Sequence, residues 1–138
     1  SESVFNADVM EFKDENNNDR IINYNQHDHD DIYHSWFIVN HLNHLKVSNP
    51  IICEIGAGYG GVVSKIKANF SESKIIILDI PEVNAAQAYY LANVFPDKKF
   101  LGYRDFKTHG PKIVDMEFDF LILPGWTASA ILKKILNF

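Results

Sequence analysis

An α/β fold built on a parallel sheet is predicted by three features of this chain. An apolar run, Ile51-Ile52-Cys53-Glu54-Ile55, ends in the glycine cluster Gly56-Ala57-Gly58-Tyr59-Gly60-Gly61. A second apolar run, Lys74 to Leu78, closes on Asp79 and is followed by Ile80-Pro81-Glu82. Between them the apolar residues return at helical spacing. A buried parallel strand reads as a continuous apolar run, and a helix must follow it to cross back over the sheet. Glycines at the strand-to-helix turn permit positive φ and remove the Cβ atoms that would hold a ligand off the main chain. An acidic residue closing the next strand lies at the same sheet edge, where it can accept hydrogen bonds from ribose hydroxyls. Together these predict a nucleotide-binding crossover with Asp79 as its ribose contact.

The elements follow in order. Residues 1 to about 31 form a polar lead whose small apolar patches, Val4-Phe5, Val9-Met10-Phe12 and Ile21-Ile22, suggest short docked elements. From Asp31 the pattern turns helical: Ile32, Trp36, Val39 and Leu42 share a face, with Asp30 or Asp31 available as N-cap. This helix is expected to cover the sheet or a ligand mouth. Ser48-Asn49-Pro50 breaks it, dividing a lead over 1–48 from a nucleotide-binding unit over 49–138. Strand 51–55 leads to a helix over about 60–70, with Val63, Ile66 and Phe70 on one face. Strand 74–79 leads to a helix from Pro81 to about Val94, with Val83, Ala86, Tyr90 and Val94 on one face and Glu82 in its first turn. Phe95-Pro96-Asp97 ends that helix. A third strand is predicted over 98–102 and a fourth over 118–123. Between them the helical signal is weak and Gly110-Pro111 interrupts it. A last helix covers 127–136, with Thr127 as a possible N-cap.

The glycines satisfy two cofactor patterns. Gly56, Gly58 and Gly61 fit the G-x-G-x-x-G of dinucleotide sites, while Glu54, Gly56, Gly58 and Gly60 fit the E-x-G-x-G-x-G of S-adenosylmethionine sites. Glu54 separates them. A dinucleotide would put its anionic pyrophosphate at this turn, where a carboxylate repels it. S-adenosylmethionine brings a sulfonium and an amino group, both cationic, which a carboxylate favours.

The combination of Glu54-Ile-Gly-Ala-Gly-Tyr-Gly-Gly, Leu78-Asp79-Ile80-Pro81-Glu82 and Ala86-Gln87-Ala88-Tyr89-Tyr90-Leu91 resembles the sugar O-methyltransferases, a branch of the class I S-adenosylmethionine-dependent methyltransferases, from about Asp31 to Phe106. The resemblance implies a Rossmann-like sheet of order 3-2-1-4 with helices on both faces. It also implies that Glu54, Gly56, Gly58, Gly60 and Asp79 hold the cofactor, with Ala57 in the same loop and Tyr59 leaning on the methionine portion. The order reversal would then fall beside the first strand. Adenine would lie between the ends of strands two and three, with Ile80 against the ring and Asp105 a candidate partner for the exocyclic amine. That fold normally continues through three further strands, so the chain is expected to be a fragment or shortened form carrying the cofactor half.

Composition bounds the function. A chain of 138 residues, 46% hydrophobic, suffices for one core. A net charge of −5, with its thirteen basic residues scattered, argues against nucleic acid as partner. No apolar run approaches the roughly 20 residues of a membrane span, and a lone Cys53 suits a reducing, cytoplasmic setting. Cys53 reads as a small buried hydrophobe. His27-Asp28-His29-Asp30-Asp31 and the pair His41 and His44 read as solvated groups, and no metal site is expected. Tyr33, Trp36 and Trp126 read as packing residues, with pocket walls as the other reading.

The expected activity is transfer of a methyl group from S-adenosylmethionine to a small-molecule or saccharide hydroxyl. Such a reaction is largely positioning, aided by a general base. No residue is assigned as that base, although His34 on the leading helix is available. Two alternatives stay open: an NAD-dependent oxidoreductase domain, and a non-catalytic module that assembles, as a homo-oligomer, through a sheet edge left exposed at strand 118–123.

Overall fold

The computed structural model describes residues 8–13, 16–24 and 26–137, so Val4 and Phe5 lie outside the described residues. The lead forms an antiparallel hairpin, β1 (Asp8–Lys13) with β2 (Asp19–Tyr24), in a sheet of its own. Helix α1 (Gln26–His44) begins earlier than its apolar pattern suggests, so Asp30 and Asp31 lie within it and neither is its N-cap. Its packing face is also rotated. Ser35 is buried and Ile38, Val39 and Leu42 pack on the core, whereas Ile32 and Trp36 are exposed.

The main sheet comprises β3 (Ile51–Ile55), β4 (Lys74–Asp79), β5 (Phe100–Leu101) and β6 (Phe120–Pro124), all parallel. Its connections are α2 (Gly61–Asn69), α3 (Pro81–Val94), then α4 (Tyr103–His109) with a 3-10 turn at Gly110–Asp115; after β6 a second 3-10 turn, Gly125–Thr127, enters α5 (Ala128–Leu136). No helix among the described residues is long and apolar enough to cross a membrane.

The spatial order is β3-β4-β6-β5, which corrects the expected 3-2-1-4. The strand closing on Pro124 pairs with β4, not β3. Burial explains the exchange. Strand β6 is buried along its whole length, and Ile75 to Leu78 of β4 are fully buried, so both must lie inside the sheet. Strand β3 carries Glu54 and exposes Ile51 and Ile55, and β5 has only two residues; these take the edges. Strand 118–123 is therefore not an exposed edge, and the five-residue edge open to solvent is β3.

Side chains alternate strictly across the two central strands. Ile75, Ile77, Phe120 and Ile122 meet Val63, Ile66, Phe70 and Leu91 on one face, with α1 outside them. Ile76, Leu78, Leu121 and Leu123 meet Ile113, Val114, Phe118 and Ile131 on the other. The chain steps from β3 to β4, over to β5, then back to β6. Uniform crossover handedness sends the returning connection to the opposite face. Helix α3 therefore leaves β4 on one face and α5 leaves the neighbouring β6 on the other. The crevice between their carboxyl ends, where Asp79 is in register with Pro124, is the point where ligands bind in such sheets. That moves the order reversal away from the glycine loop, to the β4–β6 boundary.

Candidate active site

The glycine loop leaves β3 with alternating left-handed turns: Gly56, Gly58 and Gly60 have φ of 74°, 55° and 100°. Its start is pinned to the next strand by the Gly56 N–H donating to the Leu78 carbonyl at 3.0 Å. A Cβ on Gly58 would meet nothing within 4 Å. Glycine is required there by the backbone conformation, and the space it faces is open. Gly61 differs, because a Cβ there would collide with the Asp31 carboxylate and the Tyr59 hydroxyl.

That collision marks where α1 docks. The Tyr59 hydroxyl donates to Asp31 Oδ2 at 2.6 Å, and the Tyr59 ring packs edge-on against Tyr90 at 5.1 Å. Tyr59 thus clasps the leading helix onto the loop, a role its sequence position does not disclose. Asp31 and His34 of α1 join Glu54, Gly56, Ala57, Gly58 and Tyr59 around a cavity of about 430 Å³.

Glu54 dominates the electrostatics of this cavity. Its Oε2 is buried with no hydrogen-bond partner among the described residues. Burial first, then the charge of Asp31, push its carboxyl above the usual range; His34 pulls the other way and Asp79 adds a last, smaller push upward. Cys53, one residue earlier, packs on the core, and burial pushes its thiol up, as suits a structural cysteine.

Asp79 ends β4 with both oxygens engaged: Oδ1 accepts the Ile80 N–H at 2.8 Å, and Oδ2 accepts from Gln87 Nε2 at 2.8 Å. Ile80 itself is exposed, at the entry to α3. Gln87 Nε2 also donates to the Gly58 carbonyl at 2.7 Å. This fully buried glutamine therefore ties the glycine loop to the acidic strand end. It also explains a second correction: α3 turns Gln87 and Leu91 to the core, while Ala86 and Val94 are exposed. A polar residue can occupy a core position when its hydrogen bonds are met. Asn84 completes the link, donating to Gln87 Oε1 at 3.0 Å.

A second cavity, about 480 Å³ and largely apolar, opens at the β4–β6 crevice between α3 and the start of α4. Asn84, Gly102, Tyr103, Pro124 and Trp126 are among its walls, with Tyr103 and Trp126 in edge contact at 5.8 Å. Trp126 is therefore a pocket wall. Asp105 does not line it; its Oδ2 accepts the Gly102 N–H at 2.9 Å and closes the first turn of α4. Thr127 makes no side-chain cap, its hydroxyl donating to the Pro124 carbonyl instead.

The model of the O-methyltransferase domain family matches residues 4–136. The chain belongs to the O-methyltransferase domain family. No curated protein and no solved structure matches it. Membership makes this O-methyltransferase domain part of the S-adenosylmethionine-dependent methyltransferases, in keeping with its α/β architecture. The family match extends on both sides of the region in which sequence motifs carried the resemblance.

Proposed function

We propose that this O-methyltransferase domain binds S-adenosylmethionine along the carboxyl edge of its sheet and methylates a hydroxyl of a saccharide. The observation that carries the cofactor reading is Glu54. A buried, unpartnered carboxylate oxygen close to two further carboxylates is unfavourable to a pyrophosphate and favourable to an ammonium or sulfonium group. The donor set fits: Glu54 and the open face of Gly58 would hold the methionine portion and Asp79 the ribose. The Tyr103–Trp126 cavity would take adenine, with Ile80 at the entry to α3; Asp105, which does not line that cavity, is not assigned to the amine. When bound, S-adenosylmethionine supplies an electrophilic methyl group.

The chain's own task is then to orient the acceptor and remove its proton. A third cavity, about 460 Å³, shares His34, Glu54 and Val62 with the glycine-loop cavity and adds Tyr33, Phe37 and Ile38. The aromatic walls suit the apolar face of a sugar ring, and the His34 imidazole is the base within reach of both cavities. The motif resemblance to sugar O-methyltransferases supports the saccharide, and the lone cysteine supports a cytoplasmic setting.

Calorimetric titration with S-adenosylhomocysteine, with NADH in parallel, tests the reading. Selective binding of the former is expected, and it should vanish in Gly58→Val while a cooperative unfolding transition persists, weakened by about 1–3 kcal/mol through strain at positive φ. Preference for NADH would favour the oxidoreductase alternative. An assembly module is favoured by one observation, the open β3 edge with exposed Ile51 and Ile55, and would lead if neither ligand bound.

A further inference from the structure

We propose that Gln87 is the positioning residue that sets ribose recognition, by locking Asp79 to the glycine loop. This rests on the cofactor reading above and adds to it a residue that makes no ligand contact itself. Gln87 is 0% exposed, yet every polar atom of its side chain is engaged. The amide has one orientation that works. Its two acceptors, the Gly58 carbonyl and Asp79 Oδ2, both need N–H donors, so the amide nitrogen must face them. The oxygen then faces Asn84, whose own amide nitrogen donates to it.

Asn84 lines the apolar cavity, and Gly58 lines the glycine-loop cavity. The Asn84–Gln87 pair therefore runs between the two cavities, with Asp79 held at its end. An Asp carboxylate turns readily about its terminal torsion. Here Oδ1 is fixed by the Ile80 N–H and Oδ2 by Gln87, so the plane of the carboxylate is set before any ligand arrives. Each oxygen keeps further lone-pair capacity, because an ionised carboxylate accepts about four hydrogen bonds in all. Two ribose hydroxyls would thus meet acceptors already aimed, without an ordering cost on binding.

The test compares S-adenosylhomocysteine with its 2′-deoxy analogue, in wild type, Gln87→Met and Asn84→Leu, by calorimetry. Wild type should prefer the ribose form by about tenfold or more, the usual range for a hydrogen bond to a charged group. In Gln87→Met, a near-isosteric side chain without donors, that preference should fall to about threefold or less. Asn84→Leu keeps the Gln87 donors but removes their backing and should give an intermediate ratio; it decides the matter alone if Gln87→Met fails to fold. Equal weakening of both ligands, with the ratio preserved, would mean Gln87 is merely structural and would overturn the proposal. A wild type that binds both ligands equally would overturn it too, since Asp79 would then not read the ribose. A wild type that binds neither would instead bring down the cofactor reading on which it stands.

Discussion

The two ends of the sheet handle partly buried carboxylates in opposite ways. At the amino end, Asp119 precedes β6 and is fully compensated: Lys67 Nζ donates to Oδ1 at 2.6 Å, the Lys99 N–H donates to Oδ2 at 2.8 Å, and Lys98 stands 3.7 Å away. Burial raises its carboxyl, but the Lys67 hydrogen bond and the neighbouring cations outweigh this and hold it below the usual range. At the carboxyl end, Glu54 and Asp79 make no ion pair among the described residues. Glu54 is pushed the other way, by burial and by like charges. The first arrangement joins α2 to the strand layer, since Lys67 also donates to the Ser73 carbonyl. The second leaves a net negative potential with no cation bonded to it, which is unfavourable at Glu54 and suits a cationic ligand.

Breaking the compensated end should give the largest effect on stability. Lys67→Met removes the cation from a pair in which the lysine is wholly buried, and should cost about 3 kcal/mol by chemical denaturation. Affinity for S-adenosylhomocysteine should stay within about twofold of wild type. A matching fall in affinity would show that the two ends are not independent. The pH signs also differ. Asp119, with its folded value lowered, contributes stability that is present above the ordinary Asp value of about 3.9 and is lost as pH falls through the folded value. Lys67→Met should flatten that acid limb.

Glu54→Gln sharpens the comparison from the other side. It should lower S-adenosylhomocysteine affinity by about tenfold to a hundredfold, the range for a charged hydrogen bond, while raising stability at neutral pH by about 0.5–1 kcal/mol. Glu54, with its folded value raised, makes wild-type stability decline as pH rises from the ordinary Glu value of about 4.3 through the folded value. Denaturation midpoints over that window should lose this slope in the variant. A destabilised Glu54→Gln protein would mean the carboxylate is structurally compensated after all.

The smallest effect concerns the clasp between α1 and the loop. Tyr59→Phe deletes the donor to Asp31 and should cost about 1 kcal/mol. Amide exchange should quicken in α1 and leave β4 and β6 unchanged. Equal acceleration in the central strands would mean the clasp supports the whole core.

Much of this organisation was legible in the residues. Strands β3 and β4 match their apolar runs end for end, and Val63 and Ile66 of α2, with Phe70 just past its end, are buried in one cluster as their spacing predicts. The glycine loop and Asp79 come together because a βα turn and the next parallel strand end at the same sheet edge. The faces of α1 and α3 were misread for one reason. Periodicity counts apolar residues, whereas the buried faces include Ser35, bonded to the Ile32 carbonyl, and Gln87, bonded on three sides. The Gln at 87, four residues before the core Leu91, was the available signal. The role of His34 was open in sequence, and the fold sets it against Glu54, 20 positions away in the chain.

By itself, then, the sequence determined the run from β3 to α3, the loop and the identity of its acidic residues, because these depend on local backbone preference and on which runs must be buried. Strand order, the location of the crevice and the partners of Asp79, Asp105 and Tyr59 were decided only by the tertiary structure. Those depend on which strand competes best for an interior position and on which side chains are brought within hydrogen-bond reach, and neither is a property of any single segment.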